Sequence, residues 1–350
     1  MLSRRYRIVR LLRSGPFGKV VEAVDAVDLT RVAIKIIRAI PRCRNVGKTE
    51  IRVLQKLKEH DQDYNKCVHL LNWFEHQNHI CLVSELLGTS VYEFLKNNDF
   101  QPFPRRHIQD FARQLCESIS FLHDLHLVHT DLKPESILLV RNSSRTVNHI
   151  VSNKGCSHTH QKRILEDTDI RITDFDNATF EAEYHSTVIS TRHYRAPEAV
   201  TGLGWSYPSD VFSLGCILVE FYTGVALFQA CNNLEHLAMM ERVIGRIPER
   251  LARYAATSKP EFFREDGRLD WPKTVTSRQG KKIRNLKKLI PPEDAVNQLF
   301  LDLLVQLLAY DPAQRISVRD ALEHPYFALD IPMEDHRNER EEWKGKEVRR

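Results

Sequence analysis

No apolar run in this chain approaches the roughly 20 residues that a membrane-spanning helix needs, so no such helix is expected. No two cysteines are spaced as CxxC. The seven cysteines (Cys43, Cys67, Cys81, Cys116, Cys156, Cys216 and Cys231) are scattered and odd in number. That pattern argues against a disulfide framework or a cysteine metal site, and for reduced thiols in the cytosol or nucleus. The opening MLSRRYRIVRLLRSG is basic, but its apolar runs are short and no small-residue cleavage site follows, so no signal peptide is expected. No internal repeat is visible. Net charge is also modest: +5 over 350 residues permits an acidic partner without demanding nucleic acid. Basic residues crowd the first sixty positions and the run RQGKKIRNLKK over 278–288, both of which read as solvated surface. Direct nucleic-acid binding is therefore not expected.

What is present is ample core material. Hydrophobic residues make up 42% and charged residues 28% of the chain. The length exceeds a usual single domain, so two lobes are expected. YRIVRLLR and KVVEAVDA alternate and are rich in β-branched residues. They read as strands joined by SGPFG. RVAIKIIRAI and the apolar HICLVSELL read as further strands. TEIRVLQKLKEH repeats apolar residues at Ile51, Leu54 and Leu57, a helical spacing. Beyond Glu85–Gly88 the pattern turns helical: RHIQDFARQLCESISFLHDLH, SDVFSLGCILVEFYTG ended by Gly224, LEHLAMMERVIGRI and DAVNQLFLDLLVQLLAYD. The polar stretch from Arg141 to Asp169 reads as an inserted loop or hairpin. The charged segment 328–350 reads as a tail, frayed or helical.

Four short motifs carry chemistry, and they stand in one chain order. LRSGPFGKV (Leu12 to Val20) lies at a strand–turn–strand, where backbone amides can approach phosphates because Gly15 and Gly18 lack side chains. In VAIK, Ala33 and Lys35 share a strand face. Lys35 can reach α- and β-phosphates if a carboxylate holds it, and Glu50 on the following helix is the candidate. HTDLKPES supplies Asp131 as a base, with Lys133 two residues on to offset phosphoryl charge. ITDFDNATF supplies Asp174, a hard oxygen ligand of the kind magnesium prefers. Phosphoryl transfer needs little more than such a cradle, cations and a base.

In that order, with RAPE downstream, the chain resembles a eukaryotic protein kinase from Arg7 to Phe327. EHLAMMER, residues 235–242, narrows the resemblance to the LAMMER-type (CLK, or CDC-like) kinases, and HTDLKPE, STRHYRAPE and DGRLDWP are similar to that family as well. The resemblance implies an α+β, two-lobed fold: a small, mainly antiparallel N-lobe with one helix (7–87) and a larger, mainly α C-lobe (88–327) with an insert at about 141–169. A short segment, 1–6, precedes the domain. It implies ATP and magnesium, with manganese as a substitute, and transfer to serine or threonine of protein substrates, with tyrosine autophosphorylation. Arginine-serine-rich splicing factors are the family's usual substrates. A monomer in the nucleus or cytoplasm is expected.

By the same resemblance, Asp131 is the base, Lys35 and Glu50 are an internal ion pair, and Asp174 binds magnesium. Leu12, Gly15, Phe17, Gly18, Val20, Ala33, Ser84, Glu85, Leu87 and Leu138 surround ATP. Glu85, Leu86 and Leu87 form the hinge. Glu198 is expected to pair with Arg315, and Asp210 to anchor the catalytic loop. His129 and Phe175 are expected to pack.

Several positions depart from the family pattern. Arg13 replaces a glycine; its stem can crowd a ribose, or its head can touch phosphate. Ser136 stands where an asparagine holds the second metal site, and water could bridge the gap. Asp176 replaces the glycine of DFG at a position expected to have positive φ, where aspartate is among the less disfavoured residues. Ser84, in place of a bulky aromatic, is expected to open space behind the adenine. Thr130 stands where many kinases carry a phosphate-receiving arginine, so dependence on loop phosphorylation should weaken. These departures keep a second reading open: a pseudokinase scaffold that binds nucleotide weakly or not at all.

Overall fold

A computed structural model describes residues 1–61, 67–153, 156–271 and 284–333. Positions 278–283 of the basic run and 334–350 of the charged tail lie outside the described residues.

The N-terminal lobe, through Glu85, builds one antiparallel sheet. Strands β1 (Tyr6–Ser14), β2 (Gly18–Asp25), β3 (Arg31–Ile37), β4 (Leu70–His76) and β5 (His79–Glu85) lie in the order β1-β2-β3-β5-β4. Tyr6, Val21, Ala23, Val32, Ile34, Cys81 and Val83 form one buried cluster of this sheet. Helix α1 (Pro41–His60) packs through Cys43, Gly47, Glu50, Leu54 and Leu57, spaced three and four apart. It begins two turns earlier than the apolar spacing predicts. Proline is favoured in a first helical turn, and the stripe there is carried by Cys43 and Gly47, which are weak signals. Gly47 lets the helix approach closely: a Cβ there would lie 2.5 Å from Ile37 Cδ1. Strand β4 escapes the sequence reading because it is an edge strand with Leu71 and Trp73 exposed.

Past Glu85 the chain leaves the sheet and becomes helical. Short α2 (Val91–Lys96) and long α3 (Arg105–Asp124) precede a run of small strands: β6 (Leu127–Val128), β7 (Ile137–Leu139), β8 (Ser144–Asn153), β9 (Cys156–Leu165), β10 (Ile170–Ile172) and β11 (Thr179–Phe180). β8 and β9 pair as a hairpin, so the expected insert takes its hairpin form. β7 pairs with β10, and β6 with β11. Those two ladders pin the loops 129–136 and 173–178 against each other. Helices α4 (Pro197–Thr201), α5 (Pro208–Thr223), α6 (Asn233–Val243), α7 (Glu249–Ser258), α8 (Leu286–Leu289), α9 (Ala295–Leu307) and α10 (Val318–Leu322) complete the helical body. α5 is buried along nearly its whole length and packs against α3 and α9. The EHLAMMER segment lies in α6, capped by Asn232, whose side chain accepts from the Glu235 N–H. His236, Leu237, Ala238, Met239 and Met240 are all buried there, so this string packs the core.

Candidate active site

Cross-strand pairing gathers the upper half of the site. Val20 lies opposite Lys35 and Ala33 opposite Ser84, so these four share one sheet face. Leu12 is exposed near the end of β1, and Phe17 packs partly against the core from the β1–β2 turn. The two turn glycines serve differently. A Cβ at Gly18 would sit 2.2 Å from the Ile36 carbonyl oxygen, so only glycine fits beside β3. A Cβ at Gly15 would meet nothing within 4 Å, so a side chain there would enter open space. Among the described residues, Leu86 and Leu87 make no backbone hydrogen bond after β5 ends, whereas Gly88 donates to the Leu139 carbonyl at 2.8 Å. Ser84 is half-buried and its hydroxyl is directed to the Glu85 carbonyl at 3.3 Å. Leu138, half-buried in β7, bridges to Ser90.

Glu50 falls inside the buried stripe of α1, which delivers its carboxylate to Lys35. Lys35 Nζ donates to Glu50 Oε1 at 2.7 Å. The same ammonium lies 3.8 Å from Asp174 Oδ1 and 3.5 Å from Asp176 Oδ2. Burial alone would lower the Lys35 pKa, but the surrounding carboxylates of Glu50, Asp174 and Asp176 hold it above its ordinary value. Burial pushes Glu50 up to about 7; Lys35 opposes that shift and Asp176 adds to it. Glu50 Oε2 is buried with no hydrogen-bond partner among the described residues. Burial would likewise raise Asp174, yet Lys35 and Arg13 keep it below the usual carboxylate range.

The lower half is built by the paired loops. Asp131 Oδ1 accepts from the Thr191 N–H at 2.6 Å and from the Thr191 hydroxyl at 2.7 Å, while Lys133 Nζ contacts its other oxygen. Lys133 also reaches Thr191 Oγ1 at 3.2 Å. Asp210, in the first turn of α5, accepts from the backbone N–H groups of His129 at 2.8 Å and Thr130 at 2.9 Å. It thereby anchors this loop, in which Thr130 has φ +67°. His129 and Phe175 are fully buried, with ring centroids 5.2 Å apart.

Three positions differ from the sequence expectation in ways that matter. The positive φ falls on Asp174, at +62°, and not on Asp176. Asp176 lies in a 3₁₀ turn, Phe175–Asn177, so no glycine conformation is required there. Ser136 is fully buried, donates to the Lys133 carbonyl at 2.9 Å and accepts from the Lys133 N–H at 3.1 Å. Its hydroxyl closes its own turn. Arg13 Nη1 donates to Asp174 Oδ2 at 2.9 Å, so its head is on a carboxylate.

Asp174 and Asp176 offer hard carboxylate oxygens beside one ammonium, a donor set that suits magnesium. Among the described residues no three His, Cys, Asp or Glu side chains form a protein-only metal cage. Magnesium does not require one, because it keeps waters and shares phosphate oxygens.

Sequence reasoning missed one acidic pair. Glu220 on α5 is buried and its Oε2 accepts from the Tyr194 hydroxyl at 2.7 Å. Glu135, four residues past Asp131, lies near enough to influence it, and Glu135 Oε2 is buried without a hydrogen-bond partner among the described residues. Burial, with Glu135 adding to it against the Tyr194 hydrogen bond, pushes Glu220 up to about 7. Among the described residues neither carboxylate forms an ion pair with a cation. The signal in sequence is slight: Glu220 is a lone acid inside an apolar helix.

The family model for the protein kinase domain matches residues 6–327. The chain is 45% identical over 334 residues to the dual specificity protein kinase lkh1 of Schizosaccharomyces pombe, covering 94% of this chain and 48% of that one. It is 44% identical to the serine/threonine-protein kinase AFC3 of Arabidopsis thaliana, covering 93% and 82% of the two chains. It is likewise 44% identical to the dual specificity protein kinase CLK1 of Mus musculus, covering 96% and 68%. The chain thus spans about half the length of the yeast relative. Among solved structures, the kinase domain of PF14_0431 superposes with a TM-score of 0.85 at 32% identity, over 93% of this chain and 96% of that one.

Proposed function

The chain belongs to the protein kinase family, and from that membership we propose that it is an ATP- and magnesium-dependent dual-specificity kinase. It transfers the γ-phosphate of ATP to serine or threonine of protein substrates and to its own tyrosine. The observation that carries this reading is the convergence of Lys35, Glu50 and Asp174 above an Asp131 held by Thr191 and Lys133.

In this reading the freed hinge backbone at Leu87 takes the adenine edge, and Val20, Ala33 and Leu138 enclose its faces. Lys35, oriented by Glu50, binds the α- and β-phosphates. Asp131 accepts the substrate hydroxyl proton, and Lys133 offsets charge on the transferring group. We assign the metal to Asp174, with Asp176 offering the second carboxylate in place of Ser136, whose hydroxyl is engaged in its own turn. Bound magnesium would neutralise the phosphate oxygens and align them for transfer. Magnesium-dependent transfer to an arginine-serine peptide is the expected result. No transfer with magnesium or manganese, alongside intact thermal stabilisation by nucleotide, would leave a pseudokinase scaffold. The double change Ser136→Asn with Asp176→Gly is expected to raise turnover modestly. Turnover found only in that variant would likewise identify the unmodified chain as a pseudokinase.

Arginine-rich substrates fit Glu135, whose Oε2 has no hydrogen-bond partner among the described residues, and the neighbouring Glu220, whose hydrogen bond comes from the Tyr194 hydroxyl and not from a cation. Glu220→Gln is expected to raise KM for an arginine-bearing peptide by about tenfold, the scale of one hydrogen bond to a charged group. An alanine-for-arginine peptide should be unaffected. Glu220 is raised, so it is protonated below about pH 7 and charged above it. The preference for the arginine peptide, measured as a ratio of kcat/KM values, should therefore rise as pH passes upward through about 7 and be flat in the glutamine variant. A flat ratio in the unmodified chain would remove this role.

Dependence on loop phosphorylation is proposed to be weak. Arg52 on α1 already holds Glu183 through contacts of 2.5 and 2.8 Å, and Thr130 Oγ1 donates to the Asn177 carbonyl at 2.9 Å. These contacts dock the loop without a phosphate. Residence in nucleus or cytoplasm and a monomeric state belong to the same proposal. Among the described residues no helix is long and apolar enough to cross a membrane.

A further inference from the structure

Arg13 occupies a position at the end of β1 that the phosphate-cradling pattern gives to glycine, and its guanidinium crosses the cleft. Nη1 donates to Asp174 Oδ2 at 2.9 Å, while Lys35 Nζ lies 3.8 Å from Oδ1. Both oxygens of that carboxylate therefore face cations. Lys35 is also surrounded by Glu50 and Asp176. The added acid at 176 and the added base at 13 offset each other, which leaves the charge balance of the cluster unchanged. The Arg13 side chain remains 52% exposed and that of Asp174 28% exposed, so the contact opens onto the cleft. An ion pair this exposed shifts an equilibrium by only about fivefold or less, so it can be exchanged for a stronger partner.

Resting on the nucleotide site proposed above, we infer that Arg13 is a polyphosphate-binding residue held in reserve by Asp174. With the cleft empty, it neutralises the carboxylate. A divalent cation on Asp174 repels the guanidinium, and the phosphates of a nucleoside di- or triphosphate then receive it. A guanidinium forks onto phosphate oxygens through two N–H groups, a bond that one carboxylate oxygen cannot match. Arg13 thus returns, as a side chain, the donors that a glycine-backed loop offers through its backbone. The cation and the nucleotide each favour release of the same arginine.

The test measures binding by two routes: Mg·ADP affinity by calorimetry, and Mn²⁺ affinity without nucleotide by electron paramagnetic resonance. The unmodified chain is compared with Arg13→Gly and Arg13→Gln, the second keeping the stem without the charge. Thermal unfolding confirms that both variants are folded. Both variants are expected to bind Mg·ADP about threefold to tenfold more weakly, the range of one charge-assisted contact at a partly exposed site. Both should bind Mn²⁺ alone more tightly, because Asp174 has lost its competitor. Nucleotide weakening without the gain for Mn²⁺, the gain without the weakening, or no change in either overturns the exchange. If the unmodified chain itself fails to bind Mg·ADP, the proposed nucleotide site fails, and this inference with it.

Discussion

Replacing Asp131 with asparagine is expected to lower phosphoryl transfer by about 10²- to 10⁴-fold, the usual contribution of a positioned general base. Nucleotide binding should remain close to that of the unmodified chain. The two effects separate because Asp131 lies on the lower side of the cleft, tied to Thr191 and Lys133, whereas the proposed nucleotide contacts come from Lys35, the hinge and Asp174. An asparagine oxygen can still accept from the Thr191 N–H, so the loop should keep its shape while the proton acceptor is lost. Peptide phosphorylation and thermal stabilisation by Mg·ADP are the two readouts. Unchanged transfer in the variant would remove Asp131 from its role. Loss of both transfer and nucleotide stabilisation would indicate that the loop had collapsed.

The second large effect is on stability. Arg315 is buried beneath α4 and α5 and forms a two-pronged pair with Glu198, Nη1 to Oε1 at 2.7 Å and Nη2 to Oε2 at 2.9 Å. It also donates to the Pro208 carbonyl at 2.6 Å and the Ala309 carbonyl at 2.9 Å. Arg315→Ala leaves a buried carboxylate whose one remaining side-chain donor among the described residues is the Ser209 hydroxyl, 3.1 Å away. The expected cost is about 3–5 kcal/mol, the range for removing one partner of a buried pair. Glu198→Gln should cost less, because the amide can still accept from the guanidinium. Combining the two changes should cost clearly less than the sum of the single changes, since the charge stranded by either alone is then gone. Thermal unfolding of all three variants checks this. Strict additivity would mean that the two groups act independently.

The residues proposed to carry the chemistry stand out in the sequence because they sit on local periodicity and in short motifs. Alternation in VAIK puts Ala33 and Lys35 on one face. Glu50 can be reached from the apolar repeat that follows, and the order of the glycine turn, VAIK, HTD and DF points to the lobes that carry them. The edge strand β4 and the first two turns of α1 were not legible, because exposed edge residues and a cysteine–glycine stripe carry weak hydrophobic signals.

By itself the sequence determined the two-part α+β architecture and singled out Lys35, Asp131 and Asp174 as the candidates for the site, since these follow from residue type and short-range spacing. Only the tertiary structure decided what the unusual residues do. Arg13 meets Asp174 across 161 residues, Ser136 spends its hydroxyl on its own turn, and Asp176 enters a 3₁₀ turn. Glu135, in the Pro134–Ser136 turn, lies near enough to Glu220 on α5 to raise its pKa. The Arg13 contact and the approach of Glu135 to Glu220 depend on how distant segments are oriented when the sheet, the paired loops and α5 close on one another, and no local pattern encodes that orientation.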